Sequence, residues 1–189
     1  MVSSVAMAHS IWTIGHSTRP IEAFIELLYA HHIQFLVDVR ATPYSRRNPQ
    51  FSTDALAESL AKAGLRSRHM PGLGGRRKSR PDSVNRGWRS AGFRGYADYM
   101  QTDEFRGAME ELMTYGQTGR TAVMCAEAVP WRCHRQLVAD ALVSRGWQVR
   151  HILSATEAST HQITPFAKIE QDSLTYPEPM VQEPSSRLF

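Results

Sequence analysis

Residues 11–39 read IWTIGHSTRPIEAFIELLYAHHIQFLVDV and contain the clearest indication of the fold class. The first four residues are a short apolar run that stops at Gly15, which is typical of a buried strand. Pro20 suits a first helical turn, and apolar residues then recur at helical spacing to about residue 31. A second apolar run, QFLVDV at 34–39, predicts another buried strand. The stretch therefore predicts a strand, a helix and a second strand.

The same alternation continues along the chain. Patterns of capping residues, periodic apolar residues and glycine stops predict further helices at 52–64, 96–100, 102–116 and 131–145. Apolar runs predict strands at 65–70, 121–125 and 147–153, and residues 71–92 are expected to form a long loop that is functional or mobile. Such alternation implies parallel strands joined by right-handed crossovers. We predict an α/β fold, a Rossmann-like three-layer open sheet, mostly parallel, of about five strands with helices on both faces.

The domain organisation follows from the ends of this pattern. Residues 1–10 are expected to be a flexible N-terminal lead, 11–166 a single α/β domain and 167–189 an irregular, proline-containing tail. No apolar run approaches the roughly 20 residues of a membrane span, and the first ten residues lack the features of a signal peptide. With only two cysteines, a secreted disulfide scaffold is not expected. We therefore predict a cytoplasmic protein with reduced thiols and no membrane partner.

The net charge of +4 is unevenly distributed. Nine basic residues and a single acid, Asp82, fall within 66–94. Such a segment attracts an anionic small molecule or nucleic acid, although a solvated loop without any partner has the same composition. The core of the candidate nucleic-acid patch is Arg76, Arg77, Lys78 and Arg80, with Tyr44, Trp88 and Phe93 available for base stacking.

Polar residues follow three of the predicted strands at their carboxyl ends. Gly15-His16-Ser17 follows the first strand, Asp38-Val39-Arg40 ends the second, and Cys125-Ala126-Glu127 ends the fourth. In open parallel sheets, ligands bind beyond these ends at the point where the strand order reverses. With an assumed strand order of 3-2-1-4-5, the three loops would meet at one crevice.

These positions supply candidate residues for catalysis and for anion binding. Asp38 lies in an apolar strand, where burying a carboxylate costs free energy unless it is paired. Asp38 therefore has either a functional role or a structural role, as an ion pair with Arg40, Arg46 or Arg47. Cys125 is either a buried hydrophobe or a nucleophile, and Cys133 is placed in the first turn of the following helix, where a thiol pKa falls. The candidate catalytic residues are His16, Cys125, Glu127, Cys133 and His134. The candidate anion ligands are Ser17, Arg40, Arg46, Arg132 and Arg135.

Metal chemistry is not predicted from the spacing of these residues. Cys125, Cys133 and His134 form a C-x7-C-H pattern, which matches none of the usual zinc motifs. A metal site formed by these residues, with His16 as a further candidate ligand, is therefore the disfavoured alternative; we assign no metal ligands, and the sequence does not identify a cofactor.

Several separated motifs resemble one bacterial family. They are TIGHST at 13–18, LVDVRATPYSRRNPQF at 36–51, LGG at 73–75, YADYM at 96–100 and VMCAEAVPWRCHR at 123–135. In this order they are similar to the family catalogued as domain of unknown function 488, over residues from about 11 to about 166. The resemblance implies a compact cytosolic α/β protein whose signature residues are the candidates above, and it implies no activity.

A weaker similarity is to rhodanese-type sulfurtransferases and cysteine-dependent phosphatases, which place a cysteine after a strand and an arginine at a helix start. Here Cys125 and Arg132 form C-x6-R, a longer loop than in either group, and it lacks a glycine. This departure argues against sulfur or phosphoryl transfer through Cys125.

Two functions are supported by sequence features, and a third, a small-molecule sensor or structural partner protein, stays open without direct support. The first is an enzyme with an anion-binding pocket, acting on a phosphorylated, nucleotide or nucleic-acid substrate. The second is a non-catalytic nucleic-acid-binding module that uses the basic segment at 66–94. The sequence does not decide whether the protein is an enzyme, and it does not indicate an oligomeric state.

Overall fold

The computed structural model describes residues 9–171 and 173–179, and it is built on one central sheet. The strands of that sheet are β1 (Ser10–Gly15), β2 (Phe35–Asp38), β3 (Arg66–His69), β4 (Thr121–Cys125), β5 (Gln148–Ile152) and β6 (Ala158–Thr160). Their spatial order is β3-β2-β4-β1-β5-β6, and β6 alone runs antiparallel to its neighbour. The predicted mostly parallel α/β sheet is confirmed, with β6 added at one edge.

The assumed strand order is wrong at the centre of the sheet. Strand β4 lies between β1 and β2, with Gly15 opposite Cys125 and Asp38 opposite Met124. Apolar runs identify strands but not their neighbours, because right-handed crossovers permit either order. The expected crevice is unaffected, since the carboxyl ends of β1, β2 and β4 are consecutive in both orders.

Helices cover both faces of the sheet and complete three layers. They are α1 (Ile21–Ala30), α2 (Thr53–Lys62), α3 (Ala91–Tyr99), α4 (Asp103–Thr118) and α5 (Arg135–Val143). Residues of α1 and α2 pack with alternate strand residues such as Ile14 and Leu36 on one face. Residues of α3, α4 and α5 pack on the other face with Val37 and Val123. Alternate strand residues thus enter opposite cores, as the pleat of a strand requires.

The last long helix begins later than its pattern suggests. A helix at 131–145 was expected, but a 3₁₀ turn spans Pro130–Arg132 and α5 starts at Arg135. Between them Cys133 is extended, with φ −136° and ψ 150°. Its backbone N–H closes the turn on the Pro130 carbonyl at 2.9 Å, so the turn does not continue into the helix. Arg132 and Cys133 therefore precede α5 instead of lying in its first turn.

The long basic loop is tied down by one buried carboxylate. Asp98 on α3 accepts hydrogen bonds from the Arg80 backbone N–H at 2.8 Å, the Ser83 hydroxyl at 2.6 Å and the Asn85 amide at 2.8 Å. Ser83 and Asn85 are themselves buried. The loop is thus held in one conformation against α3.

The C-terminal segment is more regular than expected in its described part. Strands β7 (Lys168–Glu170) and β8 (Ser173–Thr175) form an antiparallel hairpin, and Tyr176 beyond it is fully buried. The proposed lead and tail lie outside the described residues at 1–8 and 180–189, and the domain boundaries stay predictions. Within the described chain, no helix has both the length and the apolar character that a membrane crossing requires.

Candidate functional site

A cleft of about 840 Å³ opens at the carboxyl ends of β1, β2 and β4. Its walls come from the loops after these strands, from the 74–76 and 90–93 segments and from the turn before α5. The candidate residues that line it are His16, Ser17, Arg40, Arg76, Cys125, Glu127, Arg132, Cys133 and His134. Arg46, Arg77, Lys78, Arg80 and Arg135 do not line it. Most candidates drawn from the strand ends therefore share one cleft.

The structural alternative for Asp38 is confirmed by an ion pair with Arg40. The Arg40 Nη2 atom lies 2.7 Å from Asp38 Oδ2, and both side chains are buried. Arg40 Nη2 also donates to the Phe51 carbonyl at 2.7 Å, which anchors the loop after β2. Because Asp38 compensates its charge, Arg40 is a fixed element of the cleft wall instead of a free cation.

His16 contacts Arg40 at the back of the cleft. The Nε2 atom of His16 lies 3.3 Å from Arg40 Nη1, and its Nδ1 atom lies 2.8 Å from the Ser17 carbonyl. This arrangement makes Nδ1 the protonated nitrogen and Nε2 the acceptor. Burial, with a smaller contribution from the Arg40 charge and against the Ser17 hydrogen bond, lowers the pKa of His16 to about 4. The imidazole is therefore neutral at neutral pH, and its contacts favour positioning of Arg40 over proton donation.

Two residues of the cleft adopt left-handed backbone conformations. Ser17 has φ 52° and Arg76 has φ 62°, in the region that normally favours glycine. Ser17 is held there by a backbone hydrogen bond to the Ala126 carbonyl at 2.9 Å. Strain of this kind costs free energy and is commonly found at functional sites.

The floor of the cleft contains two thiols and one imidazole. One ligand-type atom from each of Cys125, Cys133 and His134 lies within 4.8 Å of the others. Both cysteines are free and buried, and Cys133 Sγ lies 3.7 Å from His134 Nδ1. Sequence spacing missed this cluster because Cys133 and His134 approach Cys125 through the extended backbone before α5.

The two thiols have opposite electrostatic tendencies. A hydrogen bond from Cys125 holds the pKa of Cys133 well below the ordinary thiol value, and His134 and Arg135 act in the same direction against burial. The same hydrogen bond, together with burial, raises the pKa of Cys125. The backbone N–H of Arg135 also donates to Cys133 Sγ at 3.5 Å. The pair therefore favours a thiolate on Cys133 beside a protonated Cys125.

Arg135, a candidate anion ligand, is buried behind the cleft and has a structural role. Its side chain is fully buried, and Nη2 donates to the backbone carbonyl of Glu127. This contact fixes the loop after β4. The side chain of Glu127 is exposed and lines the cleft, where it supplies the one carboxylate among the lining residues.

Three exposed arginines surround the opening of the cleft. Arg47, Arg76 and Arg132 all line it, and none of their side chains has a hydrogen-bond or ion-pair partner among residues 9–171 and 173–179. Arg47 was considered from the sequence only as a partner for Asp38, and its proximity to Arg76 and Arg132 depends on the fold. Arg46, its neighbour, is exposed and lies outside the cleft.

The remaining basic residues are largely engaged elsewhere. Arg77 stacks over the Tyr99 ring at 3.6 Å from its centroid, and Arg80 pairs with Asp82 at 2.8 Å. Trp88 stacks on Phe93 and contacts two further rings, so it has no free face prepared for a base. Phe93 and the exposed Tyr44 both line the cleft. Lys78 is exposed. The basic segment is therefore divided among several local contacts.

Comparison with known protein families assigns the chain to one of them. A family model described as "Domain of unknown function DUF488" matches residues 20–142, more than half of the chain. The chain belongs to the DUF488 family. No curated protein and no solved structure shows significant similarity to it. Within the matched DUF488 region lie Asp38, Arg40, Cys125, Cys133 and His134.

Proposed function

We propose that this DUF488 chain is an enzyme that binds a small phosphorylated compound in the cleft and acts on it with the groups at the cleft floor. The observation that carries the proposal is the set of three unpaired arginines, Arg47, Arg76 and Arg132, around a cleft whose floor holds two thiols and an imidazole. The reduced thiols that this chemistry needs fit the cytoplasmic location expected from the sequence.

The charges of the cleft favour an anionic ligand. Arg47, Arg76 and Arg132 contribute three positive charges at the rim, whereas Glu127 contributes one negative charge. A guanidinium presents its donors as a planar fork that matches the oxygens of a phosphate. The volume of about 840 Å³ lies within the usual range for small-molecule sites, roughly 300–1,000 Å³. A phosphorylated metabolite or a nucleotide has the charge and the size for this cleft.

The residues at the floor and wall have distinct roles in this proposal. Cys133 supplies a sulfur of low proton affinity, and Glu127 is the exposed carboxylate that can accept a proton from the bound compound. Arg40, held by Asp38 and His16, fixes the back wall of the cleft, and its charge is compensated by Asp38. His16 acts as a positioning residue in this arrangement.

The contacts of the basic segment favour this function over a nucleic-acid-binding module. A module of that kind needs free cations along a surface and aromatic faces on which bases stack. Arg77 and Arg80 are occupied by Tyr99 and Asp82, and Trp88 is packed among other rings. Arg47, Arg76 and Arg132 instead line the cleft, whereas the exposed Lys78, Arg86 and Arg89 of the basic segment lie outside it.

Calorimetric titration of the purified chain with inorganic phosphate, a nucleoside monophosphate and a single-stranded oligonucleotide tests the proposal. Arg47→Ala and Arg132→Ala should each weaken phosphate binding about 10-fold or more, because a hydrogen bond to a charged group contributes about 1.5–3 kcal/mol. Arg89→Ala is the matched control, since Arg89 is an exposed arginine of the basic segment outside the cleft.

The two functions predict different patterns across these variants. If phosphate binding is lost in Arg47→Ala and Arg132→Ala but retained in Arg89→Ala, the anion cleft is supported. Equal weakening of oligonucleotide binding in all three variants, with no phosphate binding by the wild type, would favour the nucleic-acid-binding module.

A further inference from the structure

We infer that Cys125, Cys133 and His134 form a binding site for one soft divalent metal ion of the Zn²⁺ class at the floor of the cleft. Thiolate sulfur and imidazole nitrogen are the ligands that such ions select. The inference deepens the proposed function, because it identifies the electrophile that would face the bound anion. Metal uptake can nevertheless be measured without any substrate.

The distances between the three side chains suit tetrahedral coordination. With zinc–sulfur and zinc–nitrogen bonds of about 2.3 and 2.0–2.1 Å, a tetrahedral sulfur–nitrogen edge is about 3.5 Å. The observed distance from Cys133 Sγ to His134 Nδ1 is 3.7 Å. All three ligand atoms lie within 4.8 Å of one another. An ion can therefore contact all three with only small side-chain movements.

The imidazole of His134 has a nitrogen available for coordination. Its Nδ1 atom contacts the Cys133 sulfur, and its buried Nε2 atom has no hydrogen-bond partner among the described residues. Buried histidines ordinarily bond to an oxygen acceptor, because an unsatisfied polar atom is costly to bury. Coordination through Nδ1 would leave the buried Nε2 as it is, so the support for His134 as a ligand is the position of Nδ1 beside the Cys133 sulfur.

The sulfur atoms also have surroundings typical of metal thiolates. Cys133 Sγ already accepts the backbone N–H of Arg135 at 3.5 Å, a contact that supports negative charge on sulfur. Both cysteines are nearly inaccessible, at 7% and 4% exposure, so the site is shielded from bulk water except through the cleft. Cys125 comes from the end of β4, and the other two ligands come from the segment before α5.

One coordination position would face the cleft. Cys125, Cys133 and His134 all line it, and together they offer three protein ligands. Catalytic zinc sites have three protein ligands and a fourth position for water or substrate, whereas structural sites have four protein ligands. The arrangement therefore corresponds to the open type, with the unpaired arginines at the opening of the same cleft.

Titration of the full-length reduced protein with Co²⁺, followed by Zn²⁺, tests the site directly. Co²⁺ bound to thiolates gives a sulfur-to-metal charge-transfer band and intense visible bands when the geometry is tetrahedral. We expect one equivalent per chain, displacement by Zn²⁺, and protection of both cysteines from alkylation by the bound metal. Since the chain has two cysteines, the alkylation result can be assigned without ambiguity.

Variants of the site locate the metal. Cys125→Ser, Cys133→Ser and His134→Ala should each weaken metal binding by at least about 100-fold, since losing even an outer-shell partner costs roughly 10–100-fold. Arg89→Ala, which changes an exposed arginine outside the cleft, should bind metal like the wild type. Far-UV circular dichroism identifies any variant that does not fold. If a variant does not fold, the Co²⁺ absorption spectrum and the thiol protection of the wild type test the metal site.

Either of two results would overturn the inference. One is a reduced, folded wild type that shows no charge-transfer band and no thiol protection at any Co²⁺ concentration. The other is metal binding that both serine variants retain. Phosphate binding to the metal-free protein reports separately on the arginines, so failure of the metal site and failure of the anion cleft are distinguishable.

Discussion

The Asp38 carboxylate and the Arg40 guanidinium form a two-bonded ion pair inside the protein. Arg40 Nε lies 2.9 Å from Asp38 Oδ1, and Nη2 lies 2.7 Å from Oδ2. Each side chain is 7% exposed. The same guanidinium reaches His16 and the Phe51 carbonyl, so the pair connects the end of β2 to two neighbouring segments. It places a compensated cation at the back of the cleft.

Removal of the Asp38 charge should therefore destabilise the whole domain. Asp38→Asn leaves the Arg40 charge buried without its partner, and such a loss costs about 3–5 kcal/mol. Urea unfolding at neutral pH, followed by circular dichroism, measures the change. Glu58→Gln is the matched control, because Glu58 forms an exposed pair with Lys62 and its loss should not change the midpoint measurably. Equal midpoints for Asp38→Asn and the wild type would contradict the expected effect.

Gly15 allows the loop after β4 to approach the end of β1. A Cβ atom at this position would lie 1.9 Å from the Glu127 carbonyl oxygen and 2.9 Å from the Ala128 carbonyl oxygen. Gly15→Ala must therefore displace backbone, which we expect to destabilise the protein by about 1–3 kcal/mol or more. Thermal unfolding measures the loss.

A second glycine provides the control for this substitution. Gly107 lies within α4, and a Cβ atom there meets nothing within 4 Å. Gly107→Ala should raise the stability by about 0.5–1 kcal/mol, because glycine is unfavourable inside a helix. A Gly15→Ala protein as stable as the wild type would show that the loop can move away at little cost.

The sequence predicts local elements of this fold better than their neighbours. Strand β4 was expected at 121–125 and is observed at Thr121–Cys125, because a fully apolar run bounded by polar residues has few alternatives. The end of α1 was predicted at about residue 31, and the helix ends at Ala30. The strand order could not be predicted, because it depends on which crossover passes over which strand.

In the candidate site, too, the residue types could be predicted from the sequence, but their spatial neighbours could not. The types of residue at the strand ends, such as His16 and Cys125, were visible in the sequence, since they interrupt apolar runs at the points where ligands bind. The contribution of Arg47 was not visible, because its nearness to Arg132 arises between separate loops. The late start of α5 was also missed, since the extended Cys133 leaves the apolar periodicity unchanged.

The C-terminal segment is joined to α5 through Asp140. Its Oδ2 atom accepts hydrogen bonds from the Tyr176 hydroxyl at 2.9 Å and the Thr164 hydroxyl at 2.6 Å. Tyr176→Phe removes one donor from this fully buried carboxylate and should cost about 1–3 kcal/mol of the free energy of unfolding. Urea unfolding at neutral pH measures the loss.

A surface tyrosine provides the comparison for this effect. Tyr29 is 49% exposed, and its hydroxyl donates to the Ala63 carbonyl at 2.7 Å. Tyr29→Phe should have a smaller effect, because water can replace the lost donor at the surface. If both tyrosine variants lost the same stability, the Asp140 contact would not be responsible.

The stability of the domain should decrease in mild acid through His151. Its Nδ1 atom lies 2.7 Å from the Thr13 hydroxyl, and its Nε2 atom lies 2.9 Å from His161 Nδ1. Burial, with smaller contributions from His161 and Arg135 and against the attraction of Asp140, lowers the pKa of His151 from 6.5 to about 4. At His151 the unfolded chain therefore binds up to one more proton than the folded chain between these two values, and His16, with a similarly lowered pKa, adds a second contribution of the same sign. The contribution of the neutral His151 to the free energy of unfolding is fully present above about pH 6.5 and is lost as the pH decreases toward 4.

Urea unfolding of the wild type and His151→Asn at several pH values between 7 and 4.5 tests this linkage. One proton corresponds to a slope of at most about 1.4 kcal/mol per pH unit, and the asparagine variant should lose a comparable part of the wild-type slope. His32→Asn is the matched imidazole-to-amide change at an exposed position with a left-handed backbone that asparagine tolerates. A slope that is equally steep in the wild type and in His151→Asn would assign the acid sensitivity to other groups, because the buried imidazole would then contribute no differential proton binding.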